Sequence, residues 1–190
     1  MTVELSHGIR LLSGTLFNYH APHEAEVEIG DIAAALSKVC RFAGHLPYFY
    51  SVAQHAVNAS YIVPEEHAFT ALMHDTAEAF TNDLPTPLKE AVPMFKDLEV
   101  KIEAAMAARF GFQYPLPWAV KLADLQMLGL EKVHIKRDFS YWSILDGIEF
   151  MGLHSHARRA YYPGELWLGS LTPEDAETIF LERYEELRPR

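Results

Sequence analysis

Apolar side chains recur at helical spacing along most of this chain, and its chemistry collects where that rhythm is interrupted. Ile32, Ala35, Leu36 and Val39 mark one face of a helix over 32–42, with Asp31 as its N-cap. Ser51 can cap a second helix whose apolar positions Val52, Ala56, Val57, Ala59 and Ile62 include His55 among them. Pro64 ends it. A central helix over 68–80 follows, opened by Pro64-Glu65-Glu66 with its acids at the positive end. The segment 95–110 repeats Leu98, Ile102, Ala105 and Met106 and stops at Gly111. After Pro115 and Pro117, a helix over 118–135 carries Val120, Leu122, Leu125, Leu128 and Leu130 with Asp124 among the leucines. Thr172-Pro173-Glu174-Asp175 starts a last helix that runs to Leu187. Ahead of all these, β-like segments at 9–12 and 15–18 flank Ser13-Gly14 as a small hairpin or arm.

The predicted class is all-α, a bundle of about six or seven helices with a possible N-terminal hairpin. It forms one domain: an arm to residue 30, a core over 31–135 and a C-terminal extension over 136–190. Residues 136–170 follow no single period. With His154, His156, Arg158, Arg159 and several aromatics, they could close over a site or form a subunit contact.

The sharpest interruption lies at 72–89, LMHDTAEAFTNDLPTPLK. His74, Asp75 and Glu78 stand among Ala71, Leu72, Met73, Ala77, Ala79 and Phe80. Imidazole and carboxylates in such surroundings cost several kcal/mol unless each finds a partner, and a metal ion suits the mixture. On a helix, Glu78 lies one turn beyond His74 and Asp75, so the three heads can converge. Thr81, Asn82 and Asp83 are turn formers, and Pro85 and Pro87 forbid continuation, which leaves Asp83 and Lys89 on a rim past that face.

Composition narrows the partners. Hydrophobic residues are 49% of the 190, ample for a core, and 22% charged with 10 Gly and 11 Pro argues against disorder. One cysteine, Cys40, permits no internal disulfide. With no apolar run of ~18 residues, the expected setting is a reducing one such as the cytoplasm, with no membrane partner. A formal charge of −10 argues against binding nucleic-acid polymers, though not against a small phosphate ester held by a few local cations and a metal.

His55, His74, Asp75 and Asp124 are metal-capable groups at apolar-face positions of three separate helices. Two imidazoles and two carboxylates suit one borderline divalent ion, and the lack of a cysteine pair disfavours a structural zinc site. Each also has a plainer reading. His55 could be a satisfied core histidine, and Asp124 could pair with Lys121 or Arg137. The convergence of all four favours the metal.

A histidine, an adjacent His-Asp and a distant Asp on successive helices resemble the HD-domain metal-dependent phosphohydrolases. The run HD-x-x-E followed by DLPTPLK, with Arg41-Phe42 and a loop ahead of His55, is similar to the bacterial 5′-deoxynucleotidases and the phage deoxynucleoside triphosphohydrolases. The likeness spans about 31–131. It implies that His55, His74, Asp75 and Asp124 hold one divalent ion (Co, Mn, Zn, Ni, Fe or Mg) and that Glu78 orients or deprotonates the attacking water. It further implies Arg41 on phosphate, Asp83 on a sugar hydroxyl and Phe42 as a sugar-facing wall where tryptophan is usual. Lys89 and His45 stand near the rim. They would favour a longer phosphate chain, although Lys89 also reads as a solvated lysine and Asp83 as an Asx-turn. No histidine occurs from 75 to 133, which disfavours the two-metal phosphodiesterases of the superfamily, and Ala79 after Glu78 disfavours the alarmone hydrolases. The expected activity is hydrolysis of the 5′-phosphate of deoxynucleoside monophosphates. The alternatives are release of tripolyphosphate from deoxynucleoside triphosphates, or a non-catalytic nucleotide- or metal-binding module. A homo-oligomer is expected from the resemblance alone.

Overall fold

Local capping chemistry sets the ends of several helices in the computed structural model, which describes residues 7–150, 157–158 and 166–189. Helix α1 spans Ile29–Leu36, α2 Val52–Ile62, α3 Ala68–Met73, α4 Glu78–Thr81, α5 Thr86–Ala91, α6 Pro93–Phe110, α7 Trp118–His134 and α8 Pro173–Leu187. Ser51 opens α2 with a reciprocal box: its hydroxyl accepts from the Gln54 N–H at 3.2 Å, and the Gln54 side chain accepts from the Ser51 N–H at 3.4 Å. Thr172 caps α8 by accepting from the Asp175 N–H at 3.1 Å. Gly111 ends α6 at φ 78°, a left-handed conformation that glycine adopts without strain. These ends agree with the sequence reading to within about two residues.

Three expectations need correction. First, Glu28 is the N-cap of α1, and Asp31 sits at its third position, accepting from the Glu28 N–H at 3.3 Å. Asp31 also accepts from the Ser13 N–H at 2.9 Å and hydroxyl at 2.8 Å, tying the hairpin of β1 (Gly8–Arg10) and β2 (Leu16–Asn18) to α1. The helix stops at Leu36, well short of Phe42. The Ser37 hydroxyl turns back to the Ala34 carbonyl at 3.1 Å, and the chain then pairs in extended form, Val52 N–H to Val39 and Arg41 N–H to Tyr50, both at 3.0 Å. Second, the central helix is interrupted between α3 and α4. Thr76, Glu78 and Phe80 donate to carbonyls three residues back (Met73, Asp75, Ala77) at 3.2, 2.9 and 3.0 Å, the tight register of a 3₁₀ turn. Third, the proline turn contains α5: α4 ends at Asn82, whose φ of 63° leaves the helix, and Pro87 sits in the first turn of the new one. With α3 and α4 counted as one interrupted helix, the described residues carry seven, as expected.

The main core joins Phe17, Ile32, Leu36, Leu72, Met73, Phe80, Ile102, Met106 and Phe180. Phe17 stacks on Phe80 at 3.8 Å between ring centres, seating the hairpin on α4. A smaller core of Tyr50, Met127, Leu130, Ile135, Leu166 and Leu168 lies between α2, α7 and β4 (Leu166–Trp167), which pairs in parallel with β3 (Ala157–Arg158). Asn58 on α2 holds β4 through bonds to the Trp167 N–H and carbonyl, both 2.9 Å. Thus α2 is wedged between α3, α7 and α8, with its His55 face inward. His154, His156 and Arg159 lie outside the described residues, as does the Arg158 side chain. Among the described residues, no helix is long and apolar enough to cross a membrane.

Candidate active site

Three elements bring the four metal-capable residues together. His55 lies on α2, His74 and Asp75 in the tight turn after α3, and Asp124 on α7. Nε2 of His55 is 3.1 Å from Oδ1 of Asp124, and Nε2 of His74 is 3.9 Å from the same oxygen. One donor atom from each of these residues falls within 4.8 Å of the others. Asp75 comes in from a second side, its Oδ2 3.3 Å from His74 Nε2 and 3.7 Å from His55 Nε2.

The imidazoles are fixed from behind. Nδ1 of His74 is 2.6 Å from the Ala71 carbonyl, and a carbonyl can only accept, so Nδ1 carries the proton. Nδ1 of His55 lies 2.7 Å from Oε1 of Glu131. In the neutral rings both Nε2 atoms therefore present lone pairs to the same point. Both are buried, and neither has hydrogen-bond geometry with any described residue. Two orphaned nitrogens facing carboxylates are what a divalent cation would satisfy, so the donor set fits a metal. Without an ion the carboxylates hold protons there instead. Burial and Arg41 lower the His55 pKa, but Glu131 and Asp124 outweigh them and raise it to about 10. Burial likewise lowers His74, and Asp75 and Asp124 more than offset it. Despite the opposing effect of burial, the two imidazoles hold Asp124 well below the usual carboxylate range.

Glu131 is a site residue that sequence reasoning passed over. It is fully buried, and its second oxygen accepts from Nε of Arg41 at 2.9 Å. Burial alone would raise its pKa; Arg41 and then His55 pull it below the ordinary value. One signal was available: residues 124 and 131 lie seven apart, two helical turns, on one stripe. Arg41 is itself buried, with Nη1 3.7 Å from Oδ2 of Asp75.

Glu78 opens α4 beside this centre, buried, with Oε2 unpartnered among the described residues. Burial, then the charges of Asp75 and Asp83, push its carboxyl well above the ordinary value. Lys89 stands 3.6 Å from Glu78 Oε1 and 2.8 Å from Glu99 Oε1. Asp83 accepts from the Phe42 N–H at 3.2 Å, which joins the two loops at the rim. The Phe42 ring has Arg41 at 5.5 Å, Lys136 at 5.2 Å and Trp142 at 6.4 Å. His45 is exposed, and its carbonyl accepts from Lys136 at 3.1 Å. The structure thus brings together His55, His74, Asp75, Asp124, Arg41 and Glu78, with Phe42 and Asp83 joined beside Arg41 and Lys89 against Glu78, while the exposed His45 meets Lys136 through its carbonyl alone.

Phosphohydrolases of the HD class pair such a helical bundle with a histidine, an adjacent His-Asp and a distant aspartate, and the chain falls in that class. Residues 24–129 match a family model described as 5′-deoxynucleotidase YfbR-like. The chain belongs to that family and is a phosphate-ester hydrolase. It is 41% identical over 180 residues to the uncharacterised YfdR of Escherichia coli, a span of 94% of each chain. An uncharacterised protein of Rhodobacter capsulatus is 34% identical over 66% of this chain and 71% of its own. The 5′-deoxynucleotidase PM0747 of Pasteurella multocida is 35% identical over 78 residues, 39% of this chain and 40% of its own.

Proposed function

We propose that the protein hydrolyses the 5′-phosphate of deoxynucleoside monophosphates, with one divalent ion held by His55, His74, Asp75 and Asp124. The observation that carries this reading is the pair of buried, unpartnered Nε2 atoms converging beside Asp124. A bound ion would supply Lewis acidity, acidifying water and polarising a phosphoryl oxygen.

The chain's own groups do the rest. Glu78 accepts the proton of the attacking water, a task suited to a carboxyl whose pKa lies above its ordinary value. Arg41 offers phosphate the planar fork that Glu131 leaves free, since Glu131 takes its Nε. Lys89 pairs with Glu99 at 2.8 Å and reaches Glu78 at 3.6 Å, so its charge acts on these carboxylates ahead of phosphate. Asp83 is oriented by the Phe42 N–H and accepts from a sugar hydroxyl, while the Phe42 ring walls the sugar. No covalent enzyme intermediate is needed. A homo-oligomer belongs to the same proposal, and a monomeric mass by light scattering would refute that part.

Lys136 beside His45 favours a second reading, with a longer phosphate chain leading away from Arg41. Product analysis separates the two. After chelation, cobalt or manganese is added back and deoxy- and ribonucleoside mono- and triphosphates are offered, with products resolved by chromatography. Nucleoside plus phosphate from the deoxy monophosphates supports the proposal; tripolyphosphate from a triphosphate replaces it with the second reading. Metal-loaded protein inert on all of these would turn the reading toward a different phosphate ester or a sensing role.

A further inference from the structure

We infer that Glu131 is a positioning residue that makes the metal centre and the phosphate arginine one unit, an inference that rests on the reading above. Each of its oxygens serves one of the two. Oε1 meets Nδ1 of His55 at 2.7 Å, and Oε2 meets Nε of Arg41 at 2.9 Å. All three side chains are buried, so solvent does not replace either bond. The bond to His55 fixes the tautomer that leaves Nε2 free and makes the ring more basic, as carboxylates behind metal-binding histidines do. The bond to Arg41 leaves its Nη atoms for phosphate, with Nη1 already 3.7 Å from Asp75. Glu131 therefore sets cation affinity and phosphate affinity together.

Glu131→Gln nearly preserves the shape and breaks the unit. An amide can accept from His55 through its oxygen, but its NH₂ then faces the Arg41 Nε–H, donor against donor. Arg41, deprived of its buried partner, is left to compete for Asp75.

The test titrates cobalt(II) into chelated full-length wild type, Glu131→Gln and Arg41→Lys against a competing chelator, with the visible cobalt spectrum recorded, and then measures inorganic phosphate binding to each loaded protein. Glu131→Gln should weaken cobalt roughly 10–100-fold, shift the cobalt bands and weaken phosphate as well. Arg41→Lys keeps the charge beside Glu131 and loses the planar fork, so it should weaken phosphate by a larger factor than cobalt. Glu131→Gln that keeps cobalt and phosphate affinities within about threefold of wild type, at whatever cost in thermal stability, overturns the inference. If that variant does not fold, nitrogen-15 histidine spectra of zinc-loaded wild type decide. A His55 ring protonated at Nδ1, with that proton shifted far downfield, is expected; an unprotonated Nδ1 overturns the inference. Wild type that binds neither ion would defeat the metal-centre reading itself, and this is seen before any variant is compared.

Discussion

Replacing Glu78 by glutamine should separate catalysis from stability, because the carboxylate is badly housed for folding. It is 6% exposed, its Oε2 is unpartnered among the described residues, and Lys89 stands 3.6 Å from Oε1. Burial first, then Asp75 and Asp83, raise its pKa well above the ordinary value, against the opposing pull of Arg41 and Lys89. The folded chain thus binds this proton more tightly than the unfolded chain. Ionising Glu78 weakens folding by an amount that is nil below the ordinary carboxylate range and complete above the raised folded value. Glu78→Gln removes the charge and keeps the volume, and Lys89 retains Glu99 at 2.8 Å. In chelated protein at alkaline pH the variant should be more stable by on the order of 1 kcal/mol, a rise of roughly 2–4 °C in Tm. At acid pH the two proteins should converge. With metal restored, phosphate release should fall about 10²–10⁴-fold, or ~3–5.5 kcal/mol in the barrier. A lower Tm at alkaline pH would refute the electrostatic argument, and turnover within about threefold of wild type would remove Glu78 from the proton transfer.

His74→Ala and Asp75→Ala should each lose bound metal and activity together, with some stability, and stoichiometric metal retained in either would sink the ligand assignment. In the chelated protein the His55 proton, with a pKa of about 10 against an ordinary 6.5, must leave before Nε2 can bind a cation. Cobalt affinity should therefore rise with pH toward about 10 with release of a proton, and calorimetry showing a pH-independent affinity would contradict it. That proton stabilises the metal-free fold fully below 6.5, and its contribution is lost as pH rises through about 10. Phe80→Ala removes the ring stacked on Phe17 at 3.8 Å and should cost about 3–5 kcal/mol by denaturant unfolding; a cost under about 1 kcal/mol would show that the hairpin does not brace α4.

How much of this could be read from the sequence follows the range of the forces involved. Ser51, Gly111 and Thr172 act on neighbours a few residues away, so α2, α6 and α8 were legible. The break between α3 and α4 was not. His74 and Ala77 keep helical dihedrals (φ −64° and −60°), with no glycine or proline between them, and only the hydrogen-bond register tightens. Glu131 followed by Lys132 reads as a solvated pair. What buries it are Arg41 and His55, 90 and 76 residues away in sequence. The proposed ligands stand out in the sequence because a polar group on an apolar stripe is a local anomaly, whereas the spacing of Glu131 from Asp124 gains its meaning from partners that only the packed helices supply.

The strained backbone points to the same place. Phe42, Ala43 and Asn82 have φ of 57°, 51° and 63°, where side chains other than glycine are uncommon and a bulky ring is an outlier. Such residues cost of order 1–3 kcal/mol each and persist only where their surroundings fix them. Here they fall on two loops joined through the Asp83 carboxylate and the Phe42 N–H. Glycine at 42 would relieve the turn but would remove the ring that Arg41 and Lys136 flank. The strain sits where Arg41 must point inward while the next residue turns its ring out to the rim, a reversal of direction that an extended chain or a continuing helix would not give.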